Sequence, residues 1–321
     1  MQALGYPLKD FGIEVDSVLK ALCEIKKAAA VANLQCRLLD EKIALAVMRA
    51  ADEFLKGKFE EDFALSRRQS ISGTQTNMNV NEALADRASE LLGYPVHPRH
   101  HVNKSQNSLD VFPSATHIAA WKAVDGVVSF VRFLQLSLTG KAEKYLKQGE
   151  VNDWARMLDR DIPPLQEALR LLSEITLGDP TSTKLVAAKG DFNVLVRAEL
   201  TRNTGVPVSP VRGKTQVLSN KGELKFVLGA VKSLATDLLE ISQNAHGNRT
   251  PSGHSHSLPS SSSALRTQIE DTDQMIAFMS GEGKLALNIY VPDLAYNFLR
   301  CCHLLADEIS SLYSFCRSAV S

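Results

Sequence analysis

Little in this sequence favours a β-sheet. Aromatic residues make up only 6% of its 321 positions. No region alternates apolar and polar residues for long, so a mostly α protein built on long packed helices is predicted. Net charge is also lacking. Lys and Arg total 36, Asp and Glu total 36, which argues against nucleic acid or a membrane surface as partner. An anionic ligand then depends on a local cluster. The five cysteines, Cys23, Cys36, Cys301, Cys302 and Cys316, are odd in number and have no framework spacing. They read as small buried hydrophobes of a reducing compartment rather than a disulfide set or redox pair. The opening residues lack a basic run followed by an apolar stretch, so no signal peptide is expected. The longest apolar stretch, 123–140, is broken by Asp125, Arg132 and Gln135 and reads as a buried helix, not a membrane span. A cytoplasmic location follows as the expectation. His254 and His256 form an HxH pair with no nearby cysteine or carboxylate to complete a zinc set, so no metal and no organic cofactor are expected.

What the chain does have is helical periodicity. Val15, Val18, Leu19, Leu22, Ile25 and Ala29 predict a helix over 15–38. Asp40 is placed to cap a second over 41–56, with Gly57 as its stop. A third covers 77–92 and ends at Gly93. Tyr94-Pro95 and His97-Pro98 force an extended connection. A longer helix is expected from about Ser105 to Lys147, with Pro113 in its first turns. Pro163 and Pro164 are expected to open another, closed by Gly178. Further helices are predicted over 191–204, 215–245 and 293–318. Residues 247–263, GNRTPSGHSHSLPSSSS, form the one low-complexity segment, read either as a solvated linker or as a mobile loop at a site.

The organising stretch is 72–120. Ser72, Thr74, Gln75, Thr76, Asn77, Asn79 and Asn81 crowd together, and Asn103 to Ser108 repeat the pattern. Such side chains supply directed hydrogen bonds without fixed charge, which suits a small polar anion. Capping and turn hydrogen bonds are the plainer use of each residue alone.

SGTQTNMNVNE and HVNKSQNSLDVFPSATHIAA resemble the two substrate-region motifs of class II fumarases in the fumarase/aspartase superfamily. IKKAAAVAN, AADEFLKGKFEEDF and LALNIYVPDLAYN extend the resemblance over most of the chain. It implies an all-α long-helix bundle, with an N-terminal helical domain expected over 1–104, shortened against the family, a central bundle expected over 105–321, and the family's small C-terminal domain expected to be absent. It also implies a homotetramer with sites at subunit junctions, and reversible anti addition of water to fumarate giving malate, without a cofactor. Carried over by position, Ser72 and Thr74 fall where the family contacts a substrate carboxylate. Asn103 falls where substrate or water is held, and Asn107 and Ser108 on the second carboxylate-binding turn. His97, Arg99 and His100 occupy a secondary anion-binding segment. Ser262, with Ser261 or Ser263 as alternatives, stands where the family has its base. Such chemistry needs a base on one face, an acid on the other, and donors aimed at a dianionic intermediate.

The departures from the family are specific. Leu109 stands where the second carboxylate turn has an asparagine, and it offers no side-chain donor. Arg99-His100 replaces an Asn-Asp pair. No histidine lies between His117 and His246, so the family's acid-histidine motif is missing. Asp153, Asp159 and Asp161 lie in that region and read as surface charges. The lysine and asparagine of the family's flexible loop are missing too, and Arg266 does not reproduce a lysine point charge. Two further readings therefore stand beside an impaired hydratase: a catalytically inactive paralogue that binds dicarboxylates or serves as an oligomer scaffold, and an ammonia lyase of the same superfamily.

Overall fold

The computed structural model describes residues 12–58, 72–141, 148–177, 189–211, 221–247, 260–281 and 284–318. Nine helices are found among them: α1 Gly12–Gln35, α2 Glu41–Leu55, α3 Gly73–Leu92, α4 Ser108–Lys141, α5 Gln148–Leu172, α6 Lys189–Thr204, α7 Lys221–Gly247, α8 Ser260–Gly281 and α9 Lys284–Ser318. The only strands among the described residues are β1 Glu174–Ile175 and β2 Ser209–Pro210, which pair in parallel. The all-α expectation holds. The HxH pair lies outside the described residues.

The chain divides into two compact units. One takes residues 1–120, 172–219 and 282–296, the other 121–171, 220–281 and 297–321. In the first unit α1 packs on α2 and α6, and α2 packs on α3. Val18, Leu22, Ile25 and Ala29 are fully buried on α1, as are Ala44, Val47 and Ala51 on α2. Asp40 caps α2 by accepting the backbone N–H groups of Lys42 and Ile43. Gly57, Gly93 and Gly205 follow their helices with φ between 75° and 77°, the left-handed geometry that glycine adopts at least cost.

The second unit is helical. Val131, Leu134 and Leu138 of α4, Leu158 and Leu165 of α5, Leu234 and Leu238 of α7, and Leu305 and Ile309 of α9 are all buried. The pair Pro163-Pro164 does not open a helix as expected. It lies inside α5, which begins fifteen residues earlier and ends at Leu172 rather than at Gly178. The reason is the stripe through the prolines. Val151, Trp154, Leu158, Leu165, Ala168 and Leu172 are each at most 5% exposed. Interior prolines cost about 3 kcal/mol, while burying a large apolar side chain returns roughly 1.5–3 kcal/mol. Several such side chains outweigh the breakers.

The same stripe overturns the reading of Asp161 as a surface charge. It sits between Leu158 and Leu165 at helical spacing and is 2% exposed. Ser233 donates to its Oδ1 at 2.7 Å, and its Oδ2 receives no hydrogen bond among the described residues. Burial pushes its pKa up to about 6, with the nearby Asp237 carboxylate adding to the rise. Asp153 and Asp159 do sit at the surface, paired with Arg156 and Gln135. Residues 260–263, read as loop, form the first turn of α8. Among the described cysteines, Cys23, Cys301 and Cys302 are buried free thiols whose pKa values burial raises.

Candidate active site

In the first unit two helix N-termini meet. Ser72 caps α3, its Oγ accepting the Gln75 N–H, and the hydroxyl proton of Ser72 remains able to donate. Thr74, one residue into the helix, is exposed. Asn107 precedes α4, and its Oδ1 accepts the Leu109 N–H at 3.1 Å. That oxygen is occupied in capping, which leaves the side-chain amide hydrogens to donate. Leu109 itself is 51% exposed. Contact at Gly73 brings the two ends together. A Cβ built there would lie 2.5 Å from Cδ1 of Phe112, a ring only 2% exposed. Replacing Gly73 with alanine is therefore expected to destabilise the fold by roughly 1–3 kcal/mol through ring displacement, despite the better helix former. Thermal melts monitored by circular dichroism check this, and a variant as stable as the parent contradicts it.

The opening turns of α4 are also held from the far side. Thr176 donates to the Asp110 carbonyl at 2.8 Å, and the Leu177 N–H donates to Ser114 Oγ at 3.0 Å. His117 Nδ1 lies 2.8 Å from the Glu174 carbonyl oxygen, and burial lowers its pKa.

Between these ends lies a polar interior. Asn77 and Asn81, one turn apart on α3, are fully buried. Asn103 Oδ1 receives Asn81 Nδ2 at 3.2 Å, Asn77 Nδ2 at 3.4 Å and Lys26 Nζ at 2.9 Å. Lys26 also donates to Gln106 Oε1 at 2.8 Å, and Asn77 Nδ2 donates to Ser108 Oγ at 2.9 Å. The Oδ1 atoms of Asn77 and Asn81 are buried and find no donor among the described residues. Ser105, in left-handed backbone at φ 61°, donates to Asn33 Oδ1 at 2.7 Å, and Asn33 Nδ2 donates to the Lys104 carbonyl. The 103–106 turn is thus tied to α1. None of these bonds involves a carboxylate. The cluster is a set of amides, hydroxyls and one lysine, suited to holding oxyanions.

Asn103 and Ser108 are brought together here through Asn77, with Ser72 and Thr74 at the start of the same helix as Asn77. Lys26, Asn77 and Asn81 were not among the sequence-derived site residues. Two signals were available. Lys26 interrupts the apolar stripe of α1 four residues after Leu22, and Asn77 and Asn81 share one helix face.

His97 caps a π-helical turn, Pro98–Val102. Its Nδ1 accepts the backbone N–H groups of Arg99 at 3.1 Å and His100 at 3.3 Å, so the ring proton resides on Nε2. The His97 and His100 ring centroids lie 4.4 Å apart with the planes tilted by 48°. His97, Arg99 and His100 are all exposed.

Ser262 belongs to the second unit. It is 1% exposed and donates to Oε1 of the fully buried Glu308 at 2.7 Å. Ser263 is exposed, and the Ser261 side chain lies outside the described residues. Among the described residues no group of three His, Cys, Asp or Glu is arranged to hold a metal ion, and no helix is long and apolar enough to cross a membrane.

A family model described as Lyase matches residues 7–147, which include this cluster. The class II fumarate hydratase of Bacillus subtilis is 33% identical, across 93% of this chain and 74% of that relative. That of Thermus thermophilus is 32% identical, across 95% and 76%. A class II fumarase from Schistosoma mansoni superimposes with a TM-score of 0.77 at 23% identity, over 93% of this chain and 75% of that one. A fumarate lyase/delta crystallin from Brucella melitensis gives 0.77 at 22%, over 95% and 82%. With its amide-rich polar cluster, its all-helical fold and relatives that match over almost its whole length, this chain belongs to the class II fumarate hydratase family of the fumarase/aspartase superfamily.

Proposed function

We propose that the chain is a fumarate hydratase-type lyase that binds a C4-dicarboxylate at Ser72, Thr74, Asn103, Asn107 and Ser108, with turnover below that of its relatives. The observation that carries the binding half is the Lys26–Asn103–Asn77–Ser108 network. It offers donors without a competing carboxylate, at the joined N-termini of two helices whose dipoles favour an anion. His97, Arg99 and His100 serve as a secondary anion-binding patch.

The reduced turnover rests on the acid and the base. The sequence lacks a histidine in the interval where the family carries its acid. The hydroxyl proton of Ser262 is held by Glu308 in a site closed to solvent. A serine serves as base only as its alkoxide, and an adjacent carboxylate disfavours that charge. This favours a second reading, a dicarboxylate-binding paralogue without activity. Assembly into a homo-oligomer, a tetramer by resemblance, is supported by an apolar face of α4 in the second unit, where Phe130, Phe133 and Leu136 are 47%, 51% and 72% exposed. Sedimentation velocity tests it.

One assay separates the catalytic readings. Purified protein is incubated with fumarate, with malate and with aspartate, and the products are quantified. Interconversion of fumarate and malate, slower than by an intact class II fumarase, is the expected result. Dicarboxylate binding without turnover leaves the inactive paralogue, and ammonia release from aspartate leaves an ammonia lyase. Neither binding nor turnover sinks the site.

A further inference from the structure

Lys26 is the most unusual residue of the first unit. It lies on α1 among Leu19, Leu22, Cys23, Ala29 and Ala30, all at most 3% exposed, and is itself fully buried. An ammonium has three N–H donors and no acceptor. Two of them go to neutral oxygens, Asn103 Oδ1 and Gln106 Oε1. Among the described residues no carboxylate is hydrogen-bonded to it. A lysine placed so is costly to bury, and burial lowers its pKa well below the ordinary value. Packing alone would be served as well by methionine or leucine.

Its consequence is directional. Lys26 Nζ donates to Asn103 Oδ1, which turns that oxygen inward, and Asn103 Nδ2 then donates to the Gln106 carbonyl at 3.3 Å. With that oxygen facing inward, Asn77 and Asn81 turn their Nδ2 groups to it. Asn77 Nδ2 also donates to Ser108 Oγ at 2.9 Å. The Ser108 oxygen thus accepts from the interior, and its own proton is directed elsewhere as a donor. An amide is ambiguous in which end it presents, and a hydroxyl in where it sends its proton. The Lys26 donor removes both ambiguities along one chain of contacts.

We propose that Lys26 is the positioning residue of the dicarboxylate site: through Asn103 and Asn77 it sets the Ser108 hydroxyl as a donor to an anionic ligand. This rests on the reading of the site as one for a C4-dicarboxylate.

The test uses the full chain and succinate, a C4-dicarboxylate that carries no double bond to hydrate, with binding followed by isothermal titration calorimetry. Lys26→Met is expected to weaken succinate binding by about tenfold or more, the scale of losing a charge-assisted contact, while helix content by circular dichroism is retained. Lys26→Gln keeps donors without charge and is expected to weaken binding less than methionine does. It carries the test if the methionine variant does not fold. The route through Ser108 is read by a double-mutant cycle. In a Ser108→Ala background, Lys26→Met should cost no more than about twofold, because residues acting through one contact are not additive. A merely structural lysine would give additive losses. Unchanged succinate affinity in the Lys26 variants, or additive effects, overturns this role while leaving the site. Failure of the unmodified protein to bind succinate overturns the site and this role together.

Discussion

Replacing Asn103 with leucine is expected to cost roughly 3 kcal/mol of folding stability at neutral pH, the scale of stranding a buried charged donor. Three donors converge on Asn103 Oδ1, from Lys26, Asn77 and Asn81. Leucine is close in size but accepts nothing. Lys26 would keep only Gln106 as acceptor, Asn77 would keep Ser108, and Asn81 would keep only the weak acceptor Met78 Sδ at 3.4 Å. The loss should shrink with alkaline pH. Lys26 has a depressed pKa in the folded chain, so between that value and the ordinary lysine value the unfolded state binds more protons. Stability therefore rises with pH through that window. Leucine at 103 depresses the folded pKa further and widens the window, and a neutral amine tolerates a lost acceptor better than an ammonium does. Urea denaturation at neutral and alkaline pH measures both effects. A loss below about 1 kcal/mol at neutral pH would show that Asn103 is not the centre of the network.

Asp161→Asn is expected to act in the opposite direction, stabilising the protein by roughly 2 kcal/mol at slightly alkaline pH. The wild-type carboxyl titrates at about 6 in the fold against an ordinary 3.8. Between those values the native state binds more protons than the unfolded one, so stability falls as pH rises through the window and stays low above it. Asparagine remains neutral throughout. Its Oδ1 still accepts from Ser233, and its amide replaces the proton that a carboxyl beside Asp237 must otherwise acquire. Arg160, 2.9 Å from Asp237, continues to balance the remaining charge. The gain should vanish near pH 4, where Asp161 is already protonated in the fold. Melting temperatures of both proteins across this range are the measurement. A variant no more stable than the parent in alkali, or one whose gain does not change with pH, would remove burial as the cause.

Much of the fold was legible because its signals are local. Helix starts and stops at Asp40, Gly57, Gly93 and Gly205 follow from what one side chain or one φ angle permits. The stripes of α1 and α2 follow from a period of 3.6 residues. Pro163 and Pro164 misled because a local cost was read without the burial against it, which depends on partners distant in sequence. Asp161 misled for the same reason. Its charge suggested solvent, while its place between Leu158 and Leu165 suggested core, and packing decided for the core.

The polar stretch was legible as a cluster but not as a network. The sequence by itself determined that amides and hydroxyls crowd residues 72–81 and 103–108, and that the chain is helical. Only the tertiary structure decided which atoms face each other. A cation seventy-seven residues before Asn103 enters the cluster because α1 passes beneath the 103–106 turn. The same packing set Gly73 against Phe112 and joined two helix N-termini. Helical periodicity is fixed by neighbours along the chain. The direction of a buried amide or hydroxyl is fixed by whichever donor or acceptor the fold brings opposite it, and that partner has no fixed spacing in sequence.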